Sequence, residues 1–109
     1  MQRKGMVITL KATQIVEYKS LHAAVWPEVL KKLKLSNICN YSIFLKEPEN
    51  LLFSYFEYSG DNYTLDMDTL AQDRTIQAWW DLCMPCQQPL ESAKKDEWWS
   101  TMEEVFYND

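Results

Sequence analysis

Two β-forming runs, residues 38–46 and 51–58, lie close together in mid-chain, and the four residues between them fix how they meet. Both runs are rich in Ile, Phe, Tyr and Leu, and Glu47-Pro48-Glu49-Asn50 is turn chemistry, so the two make a hairpin. Along the first, Tyr41, Ile43 and Leu45 share a face; along the second, Leu52, Ser54, Phe56 and Tyr58 do. Helical periodicity precedes the hairpin over 13–35 and follows it over 62–84, and strand-like runs close the chain at 3–10 and 98–107. The order β-α-β-β-α-β is the ferredoxin-like pattern: an α+β fold whose antiparallel sheet carries helices on one face. The run 3–10 is apolar on both sides, so the face without helices also needs cover. Two such sheets packed face to face would supply it, which predicts a homodimer, an α/β barrel made of two copies. At 109 residues the chain has room for one core, so residues 1–109 read as one domain.

Both helical stretches are divided. Thr13 is a candidate N-cap ahead of Glu17. Pro27 cannot continue a straight helix, so the first helix is expected to stop near Ala23 and a second to start with Pro27 in its first turn, ending near Ser36-Asn37. Ser59-Gly60-Asp61-Asn62 breaks the sheet. Asp73 is placed to open the second piece of 62–84, whose buried side is Ile76, Trp79, Trp80 and Cys83, and 85–97 reads as loop.

The composition removes several classes of function. Net charge is −5, and the cations are scattered, so no basic stripe exists for a nucleic acid or an anionic membrane. No apolar run approaches the length of a spanning helix, and the N-terminus reads as a strand, which places the chain in the cytosol. Three cysteines argue against a disulfide framework. Cys83-Met84-Pro85-Cys86 falls at the end of a helical run, whereas a redox pair needs the start. Cys39 and His22 would have to reach that pair to build a zinc site, and the reading is of no metal and no cofactor.

Candidate chemistry centres on the single histidine. Tyr18, His22 and Trp26 are spaced four apart and share one helix face with Ile15, Val29 and Leu33. The one side chain that titrates near neutrality therefore lies on the inward side between two aromatics with polar tips. A core histidine with satisfied nitrogens is one reading; an acid/base group at the mouth of a pocket is the other. The helix break just after His22 makes room for a ligand. Tyr41 from the hairpin and Trp79-Trp80 from the later helix can converge on it, giving an imidazole, two phenols and indoles around a small concavity suited to a neutral polyhydroxyl ligand. Trp79 and Trp80 are adjacent and point about 100° apart on a helix, so one belongs to the core and the other to a cavity or interface. No nucleophile elbow, phosphate loop or paired-His motif is present.

The chain resembles the L-rhamnose mutarotase family over nearly its whole length. The resemblance is carried by Arg3-Lys4, Glu17-Tyr18, His22, Trp26-Pro27-Glu28, Asn40-Tyr41 with Ile43 and Leu45, Asn50-Leu51-Leu52-Phe53, Trp79-Trp80 and Glu104-Val105-Phe106-Tyr107. It implies a dimeric α/β-barrel isomerase that interconverts α and β anomers of a 6-deoxy-hexose. It further implies His22 as proton donor, with Tyr18, Tyr41, Trp79 and Trp80 as substrate contacts. L-rhamnose is the sugar this implies; the stretch from Gln87-Gln88-Pro89-Leu90 to Trp98-Trp99 departs from the rhamnose pattern and makes L-fucose the alternative. A non-catalytic sugar-binding module, a cofactor-free monooxygenase of the same architecture and a purely structural dimer module are the rival readings.

Overall fold

The computed structural model describes residues 1–109. The sheet is built from β1 (Gln2–Leu10), β2 (Ile38–Lys46), β3 (Leu51–Tyr58), β4 (Gln87–Gln88) and β5 (Ser100–Met102). Four helices accompany it: α1 (Ile15–Ala23), α2 (Pro27–Leu35), α3 (Tyr63–Gln72) and α4 (Arg74–Cys83). The strand order is β2-β3-β1-β4, entirely antiparallel, with β5 also on β1. This is the ferredoxin-like arrangement expected from the hairpin and its flanks. The core lies between the helices and the sheet face carrying Ile8, Leu10, Leu52 and Phe56, with Val29, Leu70, Ile76 and Trp79 packed onto it.

The divided helices follow from local chemistry. Trp26 precedes a proline, whose ring pushes it into extended backbone (ψ 132°), and Pro27 then occupies the first turn of α2. Asn62 caps α3 by accepting from the Leu65 N–H, and Asp73 caps α4 by accepting from Thr75 and Ile76. Asp73 also meets Lys32 at 2.9 Å, joining the end of α2 to the start of α4. Thr13 is no N-cap. It lies inside a 3-10 turn, Ala12–Gln14, and α1 begins behind Gln14 without a side-chain cap.

Two departures at the sheet matter for the site. The expected last strand, 98–107, is only three residues long. The free edge of β1 is shared: β4 occupies Thr9 and Leu10, leaving β5 to pair with Gly5–Val7. Beyond β5 the backbone leaves the ladder, yet Glu104 still takes a bidentate bond from Arg3 at 2.8 and 2.9 Å. The Arg3 guanidinium lies 3.5 Å from the centre of the Tyr107 ring. The second departure is a bulge. Cys39 pairs with Glu57 but Ser42 pairs with Tyr55, so Asn40 and Tyr41 together face Phe56. Asn40 sits in the left-handed region, at φ 49°. Without the extra residue Ile38 and Tyr41 would lie on opposite faces. With it, both join Ile43 and Leu45 on the helix side, and the Tyr41 ring reaches Phe56 at 5.3 Å. Asn40→Val should cost about 1–2 kcal/mol in chemical denaturation, because a β-branched residue resists this backbone. A change below ~0.3 kcal/mol would mean that the bulge does not depend on asparagine.

Candidate active site

A concave space of about 320 Å³ opens between α1, β2, α4 and the segment that follows α4. α1 contributes Tyr18 and His22, one helical turn apart. β2 contributes Tyr41 and Ile43, set on the helix side by strand alternation, and α4 contributes Trp79, Trp80 and Cys83. Met84, Gln87, Trp98 and Trp99 close the remaining side. A second lobe of about 330 Å³ continues past His22, Tyr41, Ile43, Trp79 and Trp80 toward the apolar face of α2. All five residues expected from the sequence to form a site, Tyr18, His22, Tyr41, Trp79 and Trp80, therefore border one cleft.

His22 is held on three sides. Its ring stacks on Tyr18 with centroids 4.2 Å apart, and it meets the Trp79 ring edge to face at 5.3 Å. Nδ1 lies 3.0 Å from the Tyr18 carbonyl, which can only accept, so Nδ1 carries the proton and Nε2 is the free nitrogen. Nε2 has no partner in the protein, and it is not sealed: the only fully buried side-chain polar atom left unpaired is Ser100 Oγ. Burial lowers the His22 pKa below the ordinary imidazole value, with the carbonyl bond pulling weakly the other way. At neutral pH the ring is thus largely uncharged, with a basic nitrogen on the cleft side.

The other titratable groups of the cleft are pushed out of the neutral range. Burial raises the Tyr18 phenol well above its ordinary value, in spite of a hydrogen bond from Gln87. It also pushes the Cys83 thiol up to about 12, with Cys86 adding to the shift. Tyr41 exposes 41% of its surface, yet the protein packed around its phenol pushes that group up to about 12. Only His22 changes charge near neutrality. Cys39, Cys83 and Cys86 are free thiols, and Cys83 is the last residue of α4, so the C-x-x-C pair is at the unreactive end of its helix.

The two indoles of α4 divide as adjacent helical positions must. Trp79 is 6% exposed and belongs to the core, with Trp26 against it at 5.3 Å, while Trp80 is 37% exposed and faces the opening. Sequence reasoning missed Gln87 and placed Trp98 on a strand. Gln87 is 4% exposed, donates to the Tyr18 hydroxyl at 3.2 Å and accepts from the Trp98 indole N–H at 2.8 Å. The available signal was indirect: a buried tyrosine and a half-buried tryptophan both need polar partners, and 85–97 offered few uncharged ones. Glu104 is outside the cleft. Arg3 holds its carboxyl below the usual carboxylate range.

The sequence as a whole matches one family. A model of L-rhamnose mutarotases matches residues 3–108. The chain belongs to the L-rhamnose mutarotase family. It is 33% identical to an L-rhamnose mutarotase of Oceanobacillus iheyensis, with the whole of both chains covered. It is 33% identical to one of Formosa agariphila over 98% of each chain. The crystal structure of an L-rhamnose mutarotase from Formosa agariphila superposes over the full length of both chains with a TM-score of 0.79 at 31% identity. Tetracenomycin F2 cyclase from Streptomyces glaucescens, at 18% identity and a TM-score of 0.64, shares the fold alone. Mutarotases are isomerases, and this family member is read as an aldose anomer isomerase.

Proposed function

We propose that the chain interconverts the α and β anomers of L-rhamnose, with His22 as the acid/base group. One observation carries this: a single titratable nitrogen, free and uncharged at neutral pH, lines a cleft whose other ionisable groups stay neutral. Mutarotation asks for little else. Nε2 takes the proton from the anomeric hydroxyl; the C1–O5 bond breaks with its electron pair going to O5, and C1=O forms. The imidazolium then returns the proton to O5, giving the open aldehyde. Rotation about C1–C2 presents the other carbonyl face, and the same steps run backwards. Each half uses one basic and one acidic form of one group, which suits a pKa near ambient pH. No electron or atom is exchanged with a cofactor. Tyr18 and Tyr41 hydrogen-bond sugar oxygens, and the indole of Trp80, at the opening, covers the apolar side of a 6-deoxy ring.

The lowered imidazole pKa fixes the pH dependence. Catalysis should be at its plateau above the ordinary imidazole value and fall on the acid side, with a midpoint below 6.5. Stability moves in the same direction. The unfolded chain binds a proton at His22 more readily than the folded one, so the contribution of this group is present above the unfolded pKa and lost as pH falls through the folded one. Saturation-transfer NMR on L-rhamnose, L-fucose and related free sugars, repeated from pH 5 to 8, checks both substrate and profile. Binding without faster exchange on any sugar would assign the cleft to a non-catalytic sugar-binding module instead.

The homodimer belongs to the same proposal. On the sheet face away from the helices, register sets Phe44 beside Phe53 and Phe53 beside Val7, an apolar row crossing three strands. Phe44 is exposed, as are Val105 and Phe106 in the tail beyond β5. A second copy laid on this face would cover them. Three free thiols and an acidic net charge fit a cytosolic location, and no helix is long and apolar enough to cross a membrane.

A further inference from the structure

We infer that Gln87 is a positioning residue: anchored by Trp98, it forces the Tyr18 hydroxyl to act as a hydrogen-bond donor toward the ligand. The inference rests on the mutarotase reading of the cleft and adds a polarity to it.

The argument starts at Trp98, whose indole N–H can only donate. It lies 2.8 Å from one end of the Gln87 amide, so that end must be the carbonyl oxygen. The amide is planar, and its NH2 end is then the one 3.2 Å from the Tyr18 oxygen. A flipped amide would set N–H against N–H at Trp98 and leave a buried carbonyl to compete for the phenol proton. Gln87 is 4% exposed and packed between its two partners, so water cannot repair the mismatch. The Tyr18 oxygen therefore receives a proton from the amide. Its own hydrogen has no acceptor in the protein and is left for the cleft, which Tyr18 lines beside His22. Burial keeps the phenol protonated at every pH where His22 is active. The relay thus runs in one direction: Trp98 N–H to Gln87 carbonyl, Gln87 N–H to Tyr18 oxygen, Tyr18 O–H to substrate.

A fixed donor beside a basic nitrogen makes the two groups complementary. His22 Nε2 accepts the proton of the anomeric hydroxyl. Tyr18 gives a hydrogen bond to the sugar oxygen that gains charge as C1–O5 breaks, before the imidazolium returns its proton there. The oxygen facing Tyr18 must present a lone pair, which favours a ring or carbonyl oxygen over a hydroxyl that is itself donating. This supplies the partner that acid/base chemistry at one histidine otherwise lacks.

The polarity can be reversed without changing shape. In Gln87→Glu the carboxylate accepts from Trp98 as before but has no N–H for Tyr18, so it draws the phenol proton away from the cleft. We expect kcat for anomer exchange of L-rhamnose to fall about tenfold or more, with a smaller change in KM. In a Tyr18→Phe background the same substitution should change the rate less than about twofold, because Gln87 acts only through that hydroxyl. Trp98→Phe frees the amide to flip and should give a smaller loss in the same pattern. An unchanged rate in Gln87→Glu, or an equal loss with and without the Tyr18 hydroxyl, overturns the inference. If the buried carboxylate unfolds the protein, Gln87→Leu, which removes the donor without adding charge, is read in the same cycle by the same criteria. The wild-type rate tests the mutarotase reading separately. Should it show no acceleration, L-rhamnose affinity measured by tryptophan fluorescence replaces the rate in each comparison, and additive losses would again overturn the inference.

Discussion

Replacing His22 with alanine should slow the catalysed anomer exchange by about a hundredfold or more, the ordinary range for loss of a positioned acid/base group, while the protein stays folded. The size follows from how little else in the cleft can replace it. Burial pushes the Tyr18 phenol and the Cys83 thiol far above neutrality and the Tyr41 phenol up to about 12, so none exchanges a proton quickly at pH 7. The fold should tolerate the change because His22 is only half-buried and spends its one internal hydrogen bond on the carbonyl of Tyr18, in its own helix. Removing the ring also removes a stacking partner of Tyr18, so a modest fall in Tm is expected beside the kinetic loss. Saturation-transfer NMR gives the rate and circular dichroism the fold. A folded His22→Ala protein with an unchanged rate would take the histidine out of the mechanism.

The second large effect divides two neighbours. Trp79→Ala should destabilise the protein by about 3–5 kcal/mol, the usual cost of deleting a large aromatic from a packed core. Trp79 is 6% exposed and packs against both Trp26 and His22, so nothing small can fill its place. Trp80→Ala should cost less than about 1.5 kcal/mol in stability, since that ring is 37% exposed. Its loss should appear instead as weaker sugar binding, by about fivefold to tenfold, from one lost ring-on-ring contact. Urea denaturation and a sugar titration, run on each variant, separate the two. Equal stability losses would mean that Trp80 is a second core residue, and unchanged affinity in both would remove the indoles from sugar binding.

Much of the architecture is written in short-range chemistry. The spacing of Tyr18 and His22, the Trp26-Pro27 break and the Asp73 cap are each local: a helical repeat, a steric clash and a carboxylate beside free N–H groups. The inward positions of Tyr41, Ile43 and Leu45 also follow from strand alternation. What alternation could not show is how Ile38 joins them, because the bulge at Asn40 is a property of the β2–β3 pairing and not of β2 alone. Nor could it show where the last strand stops. The run from Trp98 to Tyr107 has strand composition throughout, but the edge it needs is partly taken by Gln87 and Gln88. That competition for β1 lies between segments more than ten residues apart.

The same limit hid half of the cleft. Gln87 has no period to betray it. Its importance comes from being pulled between a hydroxyl on α1 and an indole before β5, two groups brought together only by the finished sheet. Conversely, Glu104 stands near the end of a strand-like run and could be imagined in the pocket, yet Arg3 of β1 claims it outside the cleft. Tertiary pairing, not residue type, distinguished the two.

The chain has one histidine, so nitrogen-15 labelling of that residue isolates a single imidazole. Its two ring resonances, recorded at pH 7.5 with and without L-rhamnose, read the centre of the proposal. A protonated Nδ1 and a bare Nε2 are expected, with the Nε2 signal moving toward its hydrogen-bonded position as the sugar binds and the Nδ1 signal nearly still. A bare Nδ1, or an Nε2 signal indifferent to saturating sugar, would contradict it.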